Sequence, residues 1–517
     1  MSIKKLFLIL IIILSSTRSI LSLALAGSNC GCASSSNDDG TSKTFFRPRS
    51  TIEDVSLFLA LNNYAFFKKY YREDGQPNEP QLHISKGVFA QGSTNSKKLS
   101  TYFLPHNKRC VSVREDGSGD LGSLWFNVEA PVGELYSSTL TLRPERFILG
   151  GFVDVRYDFK CTPGAWFDIK FSIYEAWHKL RPFECLSTST VTDTVIEGIV
   201  CGAPTVVDFL STSTKITYGK IPKCKKTLTN FDDIEIKLGY NVCGRQCNNG
   251  GNFDIYASAI IPIAPQPTAK YMFEPLIGRG HAGLGVGLNG GYAFVSNNKD
   301  TLALMADLSY QYLFSATEKR SLDLINGDWS RYLLVVRSND TTAPLEGINF
   351  FTRDLKVTPG SVVNFWTALH WQRCDWHVEL GYNLWYRQSE KICLKDECKN
   401  LSSLDLGIYD LAGVQAGSPT SAHTATINQS ITTPPSTGPD IVVSDSPNFV
   451  ILTDADLDLK SASHPMVLTN KAYLSIAYDY IFWDRPLTFG LTGSYEVSHK
   501  RTALNQWGIV GTAIGEF

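Results

Sequence analysis

The chain ends Asn505-Gln506-Trp507-Gly508-Ile509-Val510-Gly511-Thr512-Ala513-Ile514-Gly515-Glu516-Phe517. Trp507, Ile509, Gly511, Ala513, Gly515 and Phe517 share one parity; Gly508, Val510, Thr512, Ile514 and Glu516 share the other. Successive side chains of a strand point to opposite faces, so this is the period of a β-strand. Terminal residues of soluble domains usually fray. A closed barrel, by contrast, must pair its last strand with its first so that no edge is left open. The stretch therefore poses two readings: a closed membrane barrel, or a core strand of a soluble β domain.

Working back from this stretch, the same alternation recurs. Val153, Val155, Tyr157 and Phe159 alternate with Asp154, Arg156 and Asp158. Phe167, Ile169, Phe171 and Ile173 alternate with Asp168, Lys170 and Ser172. Ile234, Ile236, Leu238 and Tyr240 oppose Glu235 and Lys237, with Asp233 just before them. Further candidates span 253–261, 284–294, 302–312, 330–336, 363–371, 376–386, 474–482 and 487–497, which with the terminal stretch makes twelve. Tyr, Phe and Trp gather toward the ends of these runs, as aromatic girdles of membrane barrels do. The expected fold is all-β: an antiparallel transmembrane β-barrel of about twelve strands, with fourteen as the alternative. With the terminus on the periplasmic side, 387–470 becomes a long external loop. The same count puts 179–230 on the periplasmic side, which is long for a turn and signals a missed strand pair or a segment folding back as a plug.

A final strand ending in Phe resembles the outer-membrane β-barrel proteins of bacteria. That resemblance implies that Phe517 is the signal read by the barrel-assembly machinery. Glu274-Pro275-Leu276-Ile277-Gly278, Trp329-Ser330-Arg331-Tyr332-Leu333-Leu334 and Ala503-Leu504-Asn505-Gln506-Trp507-Gly508 look like segments of one family of such barrels, over about 146–517. Size and the extra N-terminal region are loosely similar to porins and long-chain fatty-acid transport barrels. These are strand motifs, so they carry a fold and leave the activity open.

The other end of the chain reads as an export signal. Lys4 and Lys5 precede the apolar run Leu6–Leu14, and Ala24-Leu25-Ala26 is an A-x-A cleavage site. Nine apolar residues are too few for a ~30 Å bilayer core. The expected organisation is a signal peptide over 1–26, a leader, short helix and periplasmic or plug region over 27–145, and the barrel over 146–517 with long loops at 179–230 and 388–470. The helix is expected within 45–71, where Ile52, Val55, Phe58, Leu59, Phe66 and Phe67 recur at helical spacing. The expected location is the bacterial outer membrane, with outer-membrane lipid as a partner.

Net charge is −2, so no basic excess points to nucleic acid. Twelve cysteines suit an oxidising compartment. Cys243/Cys247 and Cys393/Cys398 sit in polar segments and suggest local disulfides; no spacing suits zinc.

Three chemistries are to be weighed. Gly278-Arg279-Gly280-His281-Ala282-Gly283 matches GxGxxG, but a strand rather than a helix follows, so a glycine turn is expected and no cofactor. The lumen-facing set is Asp154, Arg156, Asp158, Asp168, Lys170, Asp233, Glu235, Lys237, His377, Glu379, Asp479 and Glu496. It forms either a neutralising ladder of ion pairs or the lining of a pore for small solutes, whose excess of acids over bases favours cations. A rim hydrolase would draw on His370, His377 and His499 with Glu379 and Glu496, but no nucleophile is marked out. The chain is thus read as non-enzymatic: a porin-like channel or transporter, with a structural or adhesive barrel as the alternative.

Overall fold

The computed structural model describes residues 41–58, 81–129, 135–159, 161–162, 164–186, 205–242, 251–296, 300–395, 400–409, 426–428, 450–482 and 485–516. Phe517, the export segment and part of the N-terminal helix lie outside them, as do Cys243, Cys247 and Cys398. Cys393 carries a free thiol, so the expected Cys393–Cys398 staple is not formed.

The wall is a closed antiparallel barrel. Its strands in chain order are β1 (Gln81–Ser93), β2 (Glu145–Asp158), β3 (Ala165–Lys179), β4 (Ile234–Asn241), β5 (Gly251–Ile261), β6 (Gly283–Ser296), β7 (Asp300–Leu313), β8 (Gly360–Arg373), β9 (Trp376–Arg387), β10 (Val467–Phe482), β11 (Arg485–Ser498) and β12 (Gln506–Glu516). The sheet holds thirteen segments. Lys226–Phe231 and β4 share one position along β3, against Ile173–His178 and Ala165–Lys170 respectively, so the staves number twelve. Closure is made by β1, which pairs with β12 from His83↔Glu516 to Ser93↔Gln506 and with β2 from Gln81↔Asp158 to Gly92↔Phe147.

Burial runs opposite to that of a soluble protein. Asp154, Asp168, Lys170, Glu235, Glu379, Asn383, Lys471 and Glu496 are buried, while Leu238, Leu284, Val286, Leu380, Leu474, Leu491 and Ile509 on the other parity are exposed. Water would not tolerate such a contiguous apolar exterior; lipid requires it. The exposed aromatics form two belts. Tyr240, Tyr292, Trp371, Trp376, Tyr478 and Tyr480 lie toward one end, and Tyr310, Tyr312, Tyr382 and Tyr495 toward the other. Trp376 and Tyr386 share one face of β9 and lie ten residue steps apart, about 33 Å of strand at ~3.3 Å per residue. At the usual tilt of ~40° this spans about 25 Å of membrane.

Two strand assignments differ from the sequence reading. Residues 330–336 are not wall: Ser330–Tyr332 is a 3-10 turn, and Leu334–Arg337 belongs to a small sheet with Asp340–Glu346 and Leu406–Ile408. The barrel begins at Gln81 instead of 146. β1 escapes pattern reading because Phe89 points inward onto Tyr174 while Lys86 points outward. These errors offset each other in the strand count but reverse the parity of everything between them. The connection after Lys179 therefore lies at the long-loop end, opposite to its expected side.

At that end the long connections fold together into a cap. Cys110–Arg114, Ser137–Thr141 and Phe183–Leu186 form one sheet; Ala316–Ser321, Thr352–Thr358 and Lys391–Leu394 prolong β7, β8 and β9 upward. Its apolar core includes Phe103, Phe126, Leu140, Trp329, Tyr332 and Phe351. Among the described residues, the opposite end carries short turns such as Arg373–Trp376.

Candidate functional site

The N-terminal segment is the feature that organises the lumen. Thr44 donates to the Ser321 carbonyl at 2.6 Å, and Phe46 packs into the cap core. Thr51–Glu53 is a 3-10 turn whose first turn is closed by Ser50 and Glu53; residues 55–58 are helical. The chain thus leaves the cap and enters the barrel. Phe58 meets Phe152 of β2 edge-on at 4.9 Å between centroids, and the Lys170 ammonium lies 5.0 Å from its ring.

Three polar latches hold this segment. In the first, Arg49 Nη1 meets Glu496 Oε1 at 3.0 Å and Arg49 Nη2 donates to Asn383 at 2.8 Å. Lys471 bridges Glu496 Oε2 at 3.2 Å and Asp54 Oδ2 at 2.5 Å. Thr469 and Gln506 donate the remaining bonds to Glu496, and Gln91 donates to Asp54. In the second, Asp232 accepts from the Ser50 and Thr51 hydroxyls and from the Thr51 amide. In the third, Arg279 Nε lies 2.8 Å from Glu53 Oε1. A buried charge is tolerated only when paired and hydrogen-bonded, and these side chains are almost wholly out of water.

Above the latches, inside the cap, Glu318 accepts from Arg47 at 2.7 Å, from Arg320 Nη2 at 2.7 Å and, through Oε1, faces His281 Nε2 at 2.7 Å. Arg320 Nη1 reaches Glu390 at 2.5 Å. Burial, the largest single influence, opposes the ionisation of both carboxylates, but the surrounding cations and hydrogen bonds, Arg320 foremost, together outweigh it; Glu318 is held well below the usual range and Glu390 at about 2.

The expected lumen residues other than Asp233 fall into five groups. Lys170 and Lys237 lie 3.8 and 3.7 Å from Glu235 Oε2, and Gln311 donates to Glu235 at 2.6 Å. Arg156 lies over Trp166 at 4.3 Å and 3.6 Å from Asp158 Oδ1, and His83 Nε2 lies 3.5 Å from Asp158 Oδ2. Asp154 and Asp168 are fully buried, and among the described residues neither oxygen of Asp154 meets a hydrogen-bond donor. Glu496 belongs to the latch. His377, Glu379 and Asp479 join His370 in a chain across β8, β9 and β10: Glu379 Oε2 to His370 Nδ1 at 3.3 Å, His370 Nε2 to His377 Nδ1 at 3.2 Å, and His377 Nε2 to Asp479 Oδ2 at 2.9 Å.

Asp233 plays a different part from the one expected. It sits where the wall strand breaks between Phe231 and Ile234, and it accepts from the amides of Ala264, Arg279 and Gly280. It therefore anchors the GxGxxG stretch as a turn, with Gly278 and Gly280 both at φ +67°. The histidines of the rim-hydrolase reading are not one site: His370, His377 and Glu379 lie together, whereas Glu496 is in the latch and His499 is an exposed residue just beyond β11.

Sequence reasoning missed the cations of the latch. Lys471 was legible only by starting β10 earlier, at Val467. Arg49 and Asp54 carried no signal, because nothing in a short polar segment marks it as lumen filling.

No known family's model matches the chain, and no curated protein matches it. Among solved structures it is similar to an outer-membrane channel of Pseudomonas putida F1, with 7% identity over 86% of this chain and 98% of the other and a TM-score of 0.34. It is also similar to the Pseudomonas putida toluene transporter TodX, with 9% identity over 92% and 95% and a TM-score of 0.24. The Escherichia coli outer membrane protease OmpT matches with 8% identity over 86% and 97% and a TM-score of 0.21. Likenesses this distant carry no activity to this chain.

Proposed function

We propose that this chain is a plugged barrel of the bacterial outer membrane that passes small polar solutes when its N-terminal segment is displaced. The observation that supports it most is the segment Arg49–Phe58 seated in a polar lumen, fixed by exchangeable ion pairs with Lys471, Glu496 and Arg279. A barrel serving only as a rigid wall has no need of a charged filling, since packed apolar side chains of like volume are often equally stabilising. The turn end faces the periplasm and the cap faces outward. The chain reaches its site by a cleaved export signal over 1–26, and Phe517 is read by the assembly machinery. The activity is read as non-enzymatic: His370 and His377 bond to carboxylates and to each other, the pattern of a lumen hydrogen-bond chain. Acids outnumber lysines and arginines among Asp154, Arg156, Asp158, Asp168, Lys170, Asp233, Glu235, Lys237, His377, Glu379, Asp479 and Glu496, so the solutes favoured are cationic.

A second reading, a closed structural or adhesive barrel, is favoured by the ordered cap and its own apolar core. Heat-modifiable gel mobility of the refolded chain, followed by solute flux from reconstituted liposomes, separates them. A heat-shifted band with flux of small amines supports the transporter. A shifted band with no flux of any solute, even after the latch is broken, supports the structural barrel. A chain soluble without detergent overturns both.

A further inference from the structure

The four-residue chain on β8, β9 and β10 contains three hydrogen-bonding contacts in series: Glu379 to His370, His370 to His377, and His377 to Asp479. Each contact needs one proton between its two heavy atoms. Two carboxylates and two neutral imidazoles bring only two ring protons. With two, one of the three contacts would set lone pair against lone pair. The geometry is therefore complete only with a third proton.

The carboxylate oxygens not used by the histidines are already served. Tyr473 donates to Glu379 Oε1 at 2.6 Å and Thr488 donates to Asp479 Oδ1 at 2.5 Å. Both bonds favour carboxylates over carboxylic acids, which leaves the third proton to the imidazoles. The chain also has a direction. Tyr473, Glu379 and His370 are buried, while the Asp479 side chain, level with the β8–β9 turn, keeps 22% of its surface exposed. Among the described residues, the lumen-parity neighbours level with the two rings are Thr301 and Ala303 on β7, Gln372 on β8, Ser475 on β10 and Thr492 on β11; the charged side chains next along that face, Asp307 and Lys471, stand two lumen positions further toward the cap.

We propose that Glu379, His370, His377 and Asp479 form a proton-binding site of the lumen, which takes up one proton from the turn-end compartment through Asp479 and holds it across the His370–His377 contact. The site deepens the lumen reading, since it makes the polar interior responsive to the compartment at the turn end. The two rings titrate as one pair and not as separate groups. When the proton leaves, the His370–His377 contact loses its bond and the wire parts in the middle.

The test is nitrogen-15 NMR of the full chain, refolded in detergent with labelled histidine, across a pH series. His370→Asn and His377→Asn assign the two rings, and the heat-shifted band certifies each variant's fold. The expected result is one transition followed by both rings, amounting to one proton per chain, and lost as a shared event in either variant. Asp479→Asn keeps an acceptor for His377 and shifts the transition of both rings equally. Two independent transitions, or an Asp479→Asn shift confined to His377, overturn the proposal. The readout needs no open pore, so absence of flux with a shared transition would remove the transporter reading and leave the proton site standing.

Discussion

At the scale of single residues, the cap stores its charge in a dry cluster. Glu318 serves Arg47, Arg320 and His281 at once and is wholly out of water. Glu318→Gln leaves two guanidinium groups short of an acceptor, and breaking such a buried set costs about 3–5 kcal/mol. The expected outcome is a lower midpoint of the heat shift on gels, with the aromatic signature of the cap melting first. The same cluster sets an acid limit. Glu318 and Glu390 ionise more readily in the fold than in the unfolded chain, so their contribution is complete above the ordinary glutamate pKa of 4.5 and is lost as pH falls toward about 2. Thermal melts should therefore be level above about pH 5 and fall steeply below pH 4. A melt that is level through that acid range would contradict the pairing.

At the scale of elements, the break in the wall strand between Phe231 and Ile234 turns two acidic residues to two tasks. Asp232 grips the plug, and Asp233 grips the glycine turn. Gly278 sits at φ +67°, where a Cβ would come within 2.4 Å of Ala264 Cβ. Gly278→Ala is expected to cost about 1–2 kcal/mol from the backbone alone, plus the clash, whereas a Cβ at Gly493 meets nothing within 4 Å and Gly493→Ala is the neutral control. Comparative melts check this. The barrel strands were legible because lipid on one side and a polar lumen on the other impose strict alternation, as in Val153–Asp158 and Phe167–Ser172. β1 was not, because Phe89 turns inward onto Tyr174 while Lys86 turns outward, which breaks the alternation. Residues 330–336 imitate a strand because Tyr332, Leu333 and Val335 are buried in the cap core. Of the site, the wall acids were legible and their partners on the plug were not. Ion pairs such as Arg49–Glu496 join residues hundreds of positions apart, and no local period records them.

At the scale of the whole molecule, an apolar exterior, a charged interior and a capped end combine into one device. Withdrawal of Arg49–Phe58 removes one cation, Arg49, and two acids, Glu53 and Asp54, and frees Lys471 and Arg279; the eight acids of the lumen set still outnumber the lumen's lysines and arginines, these two included. Reversal potentials in a salt gradient should accordingly show cation preference that weakens at high salt, where screening shortens the reach of the fixed charges. Anion preference would contradict the assignment of the lumen face. The most direct test of the plugged barrel is single-channel conductance in planar bilayers, comparing the wild-type chain with the double variant Arg49→Ala, Asp54→Asn. Both substitutions lie on the plug and leave every wall residue in place. The account predicts rare, small openings for the wild type and frequent steps of larger, uniform size for the variant. Equal conductance from two proteins with the same heat-shifted band would contradict it, because the segment would then not be what closes the barrel.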